Sequence, residues 1–421
     1  MMKFLVALFL FVIHNTLLSQ ALTDNIRSAT VQTVQLFQRG DQNSYPIVGL
    51  GTTESLELHF DDLGTQIKNY SYTYQLCNAD WTPADLNVFD FIKGFSQTPL
   101  RQYRASSLAT TRYVHYQAYL PDAGSMPTKS GNYILKVFLN GDTSKLAFSK
   151  RFMVYENRVT IGGQILQPFN PQVFRTHQRL EFVIDKTKLS LVNPMQQLKV
   201  TVLQNYRWDN ALMNLQPTFV KLNTLEYTGD ASALFPGNSE YRWADLRSFR
   251  FQSERVRDIK TSADSIHVFM RPDVQNAQRY FYNSDRNGFY EISSTDLSNG
   301  FWQGDYAYVH FVYKPLQPDA AKEYFIGGQF TGYRFDENTK LKFNSEMNWY
   351  ETTLKIKQGY YTYNYFQKKQ TERGYNFETV SNYIETENDY TILVYYRSLS
   401  GRHDELIGIS TLNSRNLRNG F

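Results

Sequence analysis

Cysteine is nearly absent: the 421 residues contain one, Cys77. A single thiol cannot close an internal disulfide, so the fold has to be held by its core. An excess of either charge is missing too. The formal net charge is +4, and the chain lacks the basic stripe or cluster that a nucleic-acid binder carries. Long apolar runs are missing as well. The longest, Phe4–Ile13, has ten residues, about half of what a membrane-spanning helix needs. Sustained helical periodicity does not occur. Catalytic signatures are lacking: there is no Gly-x-Ser-x-Gly elbow, no strand-to-helix phosphate loop and no pair of histidines one helical turn apart with a glutamate beside them.

What is present begins with an export signal. Lys3 precedes the apolar run Phe4–Ile13, and Ser19-Gln20-Ala21 places small residues where a signal peptidase inspects them. Residues 1–21 are therefore expected to be a cleaved signal peptide. No cysteine follows the run, so lipid attachment at the processed end is not expected. About 400 mature residues suffice for two or three domains, each with its own core.

Aromatic residues are plentiful, with 31 tyrosines and 30 phenylalanines, types that suit a pleated, half-buried surface. Alternation of period two recurs along the chain. Leu56, Leu58 and Phe60 alternate with Ser55, Glu57, His59 and Asp61; Tyr70, Tyr72, Tyr74 and Leu76 alternate with Asn69, Ser71, Thr73 and Gln75. Such runs send one set to a core and the other to water. Asn140-Gly141 between Tyr133–Leu139 and Leu146–Val154 reads as a hairpin turn. Thr391–Tyr396 is continuously apolar or β-branched and reads as a strand buried on both faces. The expected fold is all-β: tandem immunoglobulin-like antiparallel β-sandwiches. The expected divisions are 22–157, 158–300 and 301–421, the second boundary resting on Asn299-Gly300 and the Pro315–Pro318 stretch.

Candidate chemistry is sparse. His59, His115, His177, His267, His310 and His403 are scattered and sit mostly in strand-like runs, so they read as members of sheets rather than metal ligands. Asp61-Asp62 and Asp336-Glu337-Asn338 lack the spaced oxygens of a calcium loop and read as solvated turns. No catalytic, cofactor-binding or metal-ligating residue is assigned, and no cofactor or small-molecule substrate is expected. In the last block, Glu323–Tyr333 followed by Asn348–Tyr363 resembles the immunoglobulin-like modules appended to starch- and glycogen-active proteins. There Trp349, Tyr361 and Tyr363 could stack on a sugar or pack a small core. Cys77-Asn-Ala-Asp-Trp81, with Pro83 after it, reads as a structured loop between strands.

Several strings in order resemble one family, the type IX secretion system plug proteins. They are Cys77–Trp81, Ser130-Gly-Asn-Tyr-Ile-Leu-Lys-Val137, Gln204-Asn-Tyr-Arg-Trp-Asp-Asn210, Phe249-Arg-Phe251, the module from Glu323, and Glu387–Arg397. The resemblance implies a periplasmic protein docked at the periplasmic mouth of a very large outer-membrane translocon barrel, occluding its pore at rest. It assigns no single residue to that contact. The alternatives are a carbohydrate-binding envelope protein and an outer-membrane barrel ending at Phe421. Arg415, Leu417 and Asn419 do not supply the apolar outer face a barrel strand needs.

Overall fold

The computed structural model describes residues 24–275, 280–371 and 374–415. The expected signal peptide and Phe421 lie outside them. The regular structure of the described residues is almost entirely strand, and they fold as three β-sandwiches.

In the first sandwich, one sheet runs in the order Asn25–Ile26, Leu146–Tyr155, Gly131–Leu139, Tyr70–Cys77, Thr98–Pro99. The facing sheet runs Val31–Gln38, Leu56–Leu63, Tyr113–Leu120, Gln102–Ala105. The alternating apolar sets meet between them: Leu56, Leu58 and Phe60 pack with Tyr70, Tyr72, Tyr74, Leu135 and Val137. The Asn-Gly hairpin forms as expected. Asn140 and Gly141 both take positive φ, +55° and +70°, the combination a tight hairpin turn demands. The register beyond it pairs Val137 with Phe148.

The second and third sandwiches are divided differently from the expected 158–300 and 301–421. Thr160–Leu166, His177–Asp185, Thr224–Tyr227 and Phe219–Val220 form one sheet of the second sandwich. Its other sheet runs Arg207–Leu212, Leu198–Gln204, Asp389–Tyr396, Glu405–Asn413. The C-terminal strands thus complete the second sandwich, pairing Val200 with Val394 and Val202 with Ile392. The third sandwich, from Arg242–Asp245 to Gly374–Thr379, is inserted between Leu234–Pro236 and Asp389–Tyr396. Turn signals mark where strands end but not which sheet a strand joins, so an insertion leaves no mark at residue 300.

Among the described residues strand pairing is mainly antiparallel, with three parallel exceptions: Ile47–Gly49 on Leu146–Tyr155, and Ile266–Met270 and Asp273–Val274 on Tyr306–Lys314. Asp389–Tyr396 is buried on both faces, as its composition suggested. Tyr390, Ile392 and Val394 enter the core of the second sandwich, while Leu393 and Tyr395 face the first.

This topology generates a prediction. A chain ending at Glu387 loses two paired strands from the second sandwich, and residues 159–236 should become protease-sensitive while the first sandwich stays resistant. Cleavage sites mapped by mass spectrometry check it; cutting confined to the third sandwich would refute the insertion.

Candidate functional site: three seams and the surfaces outside them

The alternation that builds each core leaves a second face on every sheet, and in this chain many of those faces meet one another. The face carrying Glu57, His59 and Asp61 was expected in water. Instead His59 is 3% and Asp61 1% exposed, because the third sandwich covers it. Asp61 and Asp62 are strand residues with ion-pair partners, not a solvated turn.

Asp61 centres the seam between the first and third sandwiches. Its Oδ1 accepts from His115 Nδ1 at 2.7 Å, and its Oδ2 accepts from the Tyr306 hydroxyl at 2.6 Å and from Lys357 Nζ. Lys357 also donates to the Phe301 carbonyl and lies over the ring of Tyr113, 4.0 Å from its centre. With Asp61 accepting from Nδ1, His115 presents Nε2 to His59 Nδ1 at 3.1 Å. Phe301 stacks on His59, ring centres 4.0 Å apart. Nearby, Asp305 accepts the backbone N–H groups of Thr110 and Thr111 at 2.6 and 3.0 Å. Burial by itself would raise the Asp61 carboxyl, yet Lys357 and His115 outweigh it and hold it below the ordinary carboxylate range. Burial lowers the Lys357 ammonium, Asp61 offsetting part of that. Burial also pulls His115 down to about 4, Asp61 pulling partly back. The cluster contains groups an acid–base site would use, but it is sealed: Lys357 and Asp61 side chains are each 1% exposed.

The seam between the first and second sandwiches explains the Cys77–Trp81 string. Cys77, Ala79 and Trp81 pack with Leu203, Leu393, Tyr395 and Leu406. Asn78 Oδ1 accepts from Arg397 at 2.6 Å, and the Ala79 N–H donates to Asp404 Oδ2 at 3.0 Å. Asp404 also takes Lys199 and Arg397, at 2.9 and 2.7 Å. Asn132 ties the two sides together, donating to the Asn78 carbonyl and accepting from the Tyr395 hydroxyl at 2.9 Å. Gly131 is required here. Its φ is +145°, and an added Cβ would lie 3.0 Å from the Asp404 carbonyl oxygen. Burial pushes the Cys77 thiol up to about 12, so it is an inert core group.

Two other strings reach the third seam, Gln204–Asn210 and Glu387–Arg397, whereas Phe249 packs on the core of the third sandwich and Phe251 is exposed. Arg207 is buried against Asp209 and lies over the rings of Phe366 and Tyr333 from the inserted sandwich. Asn388 donates to Gln178 and Gly237 and accepts from Asn205 and Asn238, holding both chain crossings into the insert. Sequence reasoning missed Asp61, Lys357, Asp404 and Arg207 because each has a partner that arrives on another sandwich: Lys357 and Asp61 meet each other, Asp404 meets the Ala79 N–H, and Arg207 meets Phe366 and Tyr333.

Among the described residues no group of three or more His, Cys, Asp or Glu could hold a metal ion. The histidines do form two neighbouring pairs, His59 with His115 and His267 with His310. Tyr361 and Tyr363 are core residues, and the Trp349 indole N–H is engaged by Glu351 at 2.9 Å. The exposed aromatic platform considered for the last block is therefore not formed by these three. Large apolar side chains stand out on all three sandwiches, among them Phe89 and Phe95 on the first, Val192 and Leu222 on loops of the second, and Phe251 on the third.

Residues 31–156, the body of the first sandwich, match the family model described as "Type 9 secretion system plug protein 1st domain". The whole fold is similar to the crystal structure of a hypothetical protein from Parabacteroides merdae ATCC 43184. That likeness has a TM-score of 0.88 and 29% identity, covering 93% of this chain and 99% of the other. No curated protein matches the chain.

Two outcomes follow for the Asp61 seam. Lys357→Met leaves a buried carboxylate short of its cation and should cost about 3–5 kcal/mol in urea unfolding; adding Asp61→Asn should restore part of it. Stability should also depend on pH. The unfolded chain takes up the His115 proton near 6.5, the folded chain only near 4. Stability is therefore full above that window and declines as pH falls through it. His177, His310 and His403 are also lowered by burial and add to the same trend. His115→Asn should flatten the slope of unfolding free energy between pH 6.5 and 4.

Proposed function

Taking residues 31–156 as a type 9 secretion system plug 1st domain, we propose that this chain is a periplasmic plug of that system. It docks on the periplasmic opening of the outer-membrane translocon barrel and occludes the pore at rest. The family match carries this reading, and the seams support it physically. A body that blocks a pore has to resist deformation, which three sandwiches joined by buried ion pairs and apolar contacts achieve without a reactive group. The role needs a complementary surface and reversible docking, hence an interface of moderate affinity rather than an obligate apolar one. The exposed Phe89 and Phe95 on the first sandwich and Val192 and Leu222 on the second are among the apolar groups such an interface would draw on.

The test is affinity purification from gently solubilised envelopes, together with a deletion strain. The expected result is co-purification of a very large barrel protein, and an outer membrane that admits normally excluded solutes when the chain is missing. Unchanged permeability and no barrel partner would overturn the proposal.

A further inference from the structure

Beyond Cys77 the chain runs back along the first sandwich as a cover, residues 84–97, and rejoins the edge of the same sheet at Thr98–Pro99. Both ends of the cover are pinned. The Ala84 N–H donates to the Leu76 carbonyl at 3.0 Å, and the Thr73 hydroxyl donates to the Ser96 carbonyl. Gln97 fixes the far end twice, donating to the Ser71 hydroxyl at 2.7 Å and to the Gly141 carbonyl at 3.0 Å. Between the pins, cover and sheet leave a cavity of about 330 Å³. It is preformed, and its size stands at the lower end of the small-molecule range.

Part of the lining is apolar, with Leu86, Val88 and Phe91 from the cover and Leu76 from the sheet. The rest is polar and includes Thr73 and Lys136. Leu86, Val88 and Lys136 are each half-buried, so each keeps surface that a ligand can reach. Among the described residues that line this cavity, Lys136 alone is charged. The cavity where the three seams meet carries charges of both signs, and so does the one beside Asp273.

That lysine has no counter-ion. Among the described residues no hydrogen bond or ion pair reaches its ammonium, in contrast to Lys357 on Asp61. Burial holds Lys136 below the ordinary lysine value, and the one titratable group that pulls the other way is Cys77, a thiol that burial keeps protonated. The carboxylates around the cover are committed elsewhere or turned out. Asp142, next to Thr143, accepts from Ser144 and pairs with Lys145. Asp90 caps the short helix Val88–Phe91 and meets Arg402, and Asp85 is exposed. An ammonium that has given up part of its water without gaining an anion favours any ligand that brings one.

We propose that this cavity binds a small organic monocarboxylate with an apolar body, its carboxylate on Lys136 and its body against Leu86 and Val88. The ammonium supplies charge-assisted hydrogen bonds. The apolar lining selects against bare inorganic anions, which have no apolar surface to bury there. The site is independent of the plug reading. Its cover also carries the exposed Phe89 and Phe95, so an occupant packs beneath the segment from which those groups project.

The experiment titrates the purified mature chain with hexanoate and benzoate, reading binding by calorimetry and saturation-transfer NMR. Hexanamide and benzamide serve as the uncharged counterparts and inorganic phosphate as the bare anion. The variants are Lys136→Met, which removes the charge, and Lys136→Arg, which keeps it. The expected result is saturable binding of at least one carboxylate, weakened about tenfold by Lys136→Met and largely kept by Lys136→Arg. The amides and phosphate should bind about tenfold more weakly than the carboxylate, because each lacks one half of the match. The unfolding midpoint of Lys136→Met should not fall, since the substitution removes an unpaired charge. The proposal is overturned by saturation with neither carboxylate, by amides or phosphate binding as tightly, by affinity that Lys136→Met leaves unchanged, or by equal losses in both variants. If Lys136→Met does lower the midpoint, the wild-type chain decides through carbon NMR of the lysine ε position. Saturating carboxylate should move the Lys136 titration upward, and an unmoved titration counts against the site. Co-purification with a barrel is a separate measurement, so either proposal can fail while the other stands.

Discussion

A carboxylate shut away from water needs its partners supplied by protein, and Asp61 draws them from both sides of a seam. His115 comes from its own sandwich; Tyr306 and Lys357 come from the third. Neither side alone satisfies the charges it contributes. Separating the two sandwiches would return both charges to water, so the pair adds little net attraction; what it penalises is any other docking that buries the aspartate without the lysine. The Asp61 contacts thus select one docking of the first sandwich on the third, alongside the packing of Tyr113 on Tyr306 and Phe301 on His59.

The same logic recurs where the first sandwich meets the second. Asp404 collects Lys199, Arg397 and the Ala79 N–H at a buried point, and an apolar patch around Cys77, Leu393 and Tyr395 surrounds it. The insertion of the third sandwich into the second adds a covalent constraint, because the chain crosses that seam twice, near Asn238 and again near Asn388. These crossings are bonded to each other through Asn388. The three seams thus close a ring of contacts, and the cavity between them is what a ring of three convex bodies leaves at its centre. Bonds across all three seams oppose hinging between the sandwiches, as the proposed pore block would require.

Much of the fold was legible in the sequence. Alternation at Leu56–Phe60 and Tyr70–Leu76 gave the core faces, Asn140-Gly141 gave the hairpin, and the unbroken run at Thr391–Tyr396 gave a strand buried on both sides. These signals are local: each depends on residues within one strand or turn. The family strings were legible as well, though not their purpose. Cys77–Trp81 reads as a connecting loop until Asp404 and Arg397 appear opposite it, and Gln204–Asn210 reads as one more strand end until Arg207 meets Phe366 and Tyr333.

By itself, then, the sequence determined the class of structure, the strands and their inward faces, because hydrophobic periodicity and turn chemistry act over a few residues. Only the tertiary structure decided which sheet the last two strands join and that Asp61 is buried rather than solvated. Each of these depends on residues brought together from distant parts of the chain. A charged residue on the outer face of a strand looks the same in sequence whether water or another sandwich covers it, and only the covering surface tells the two apart.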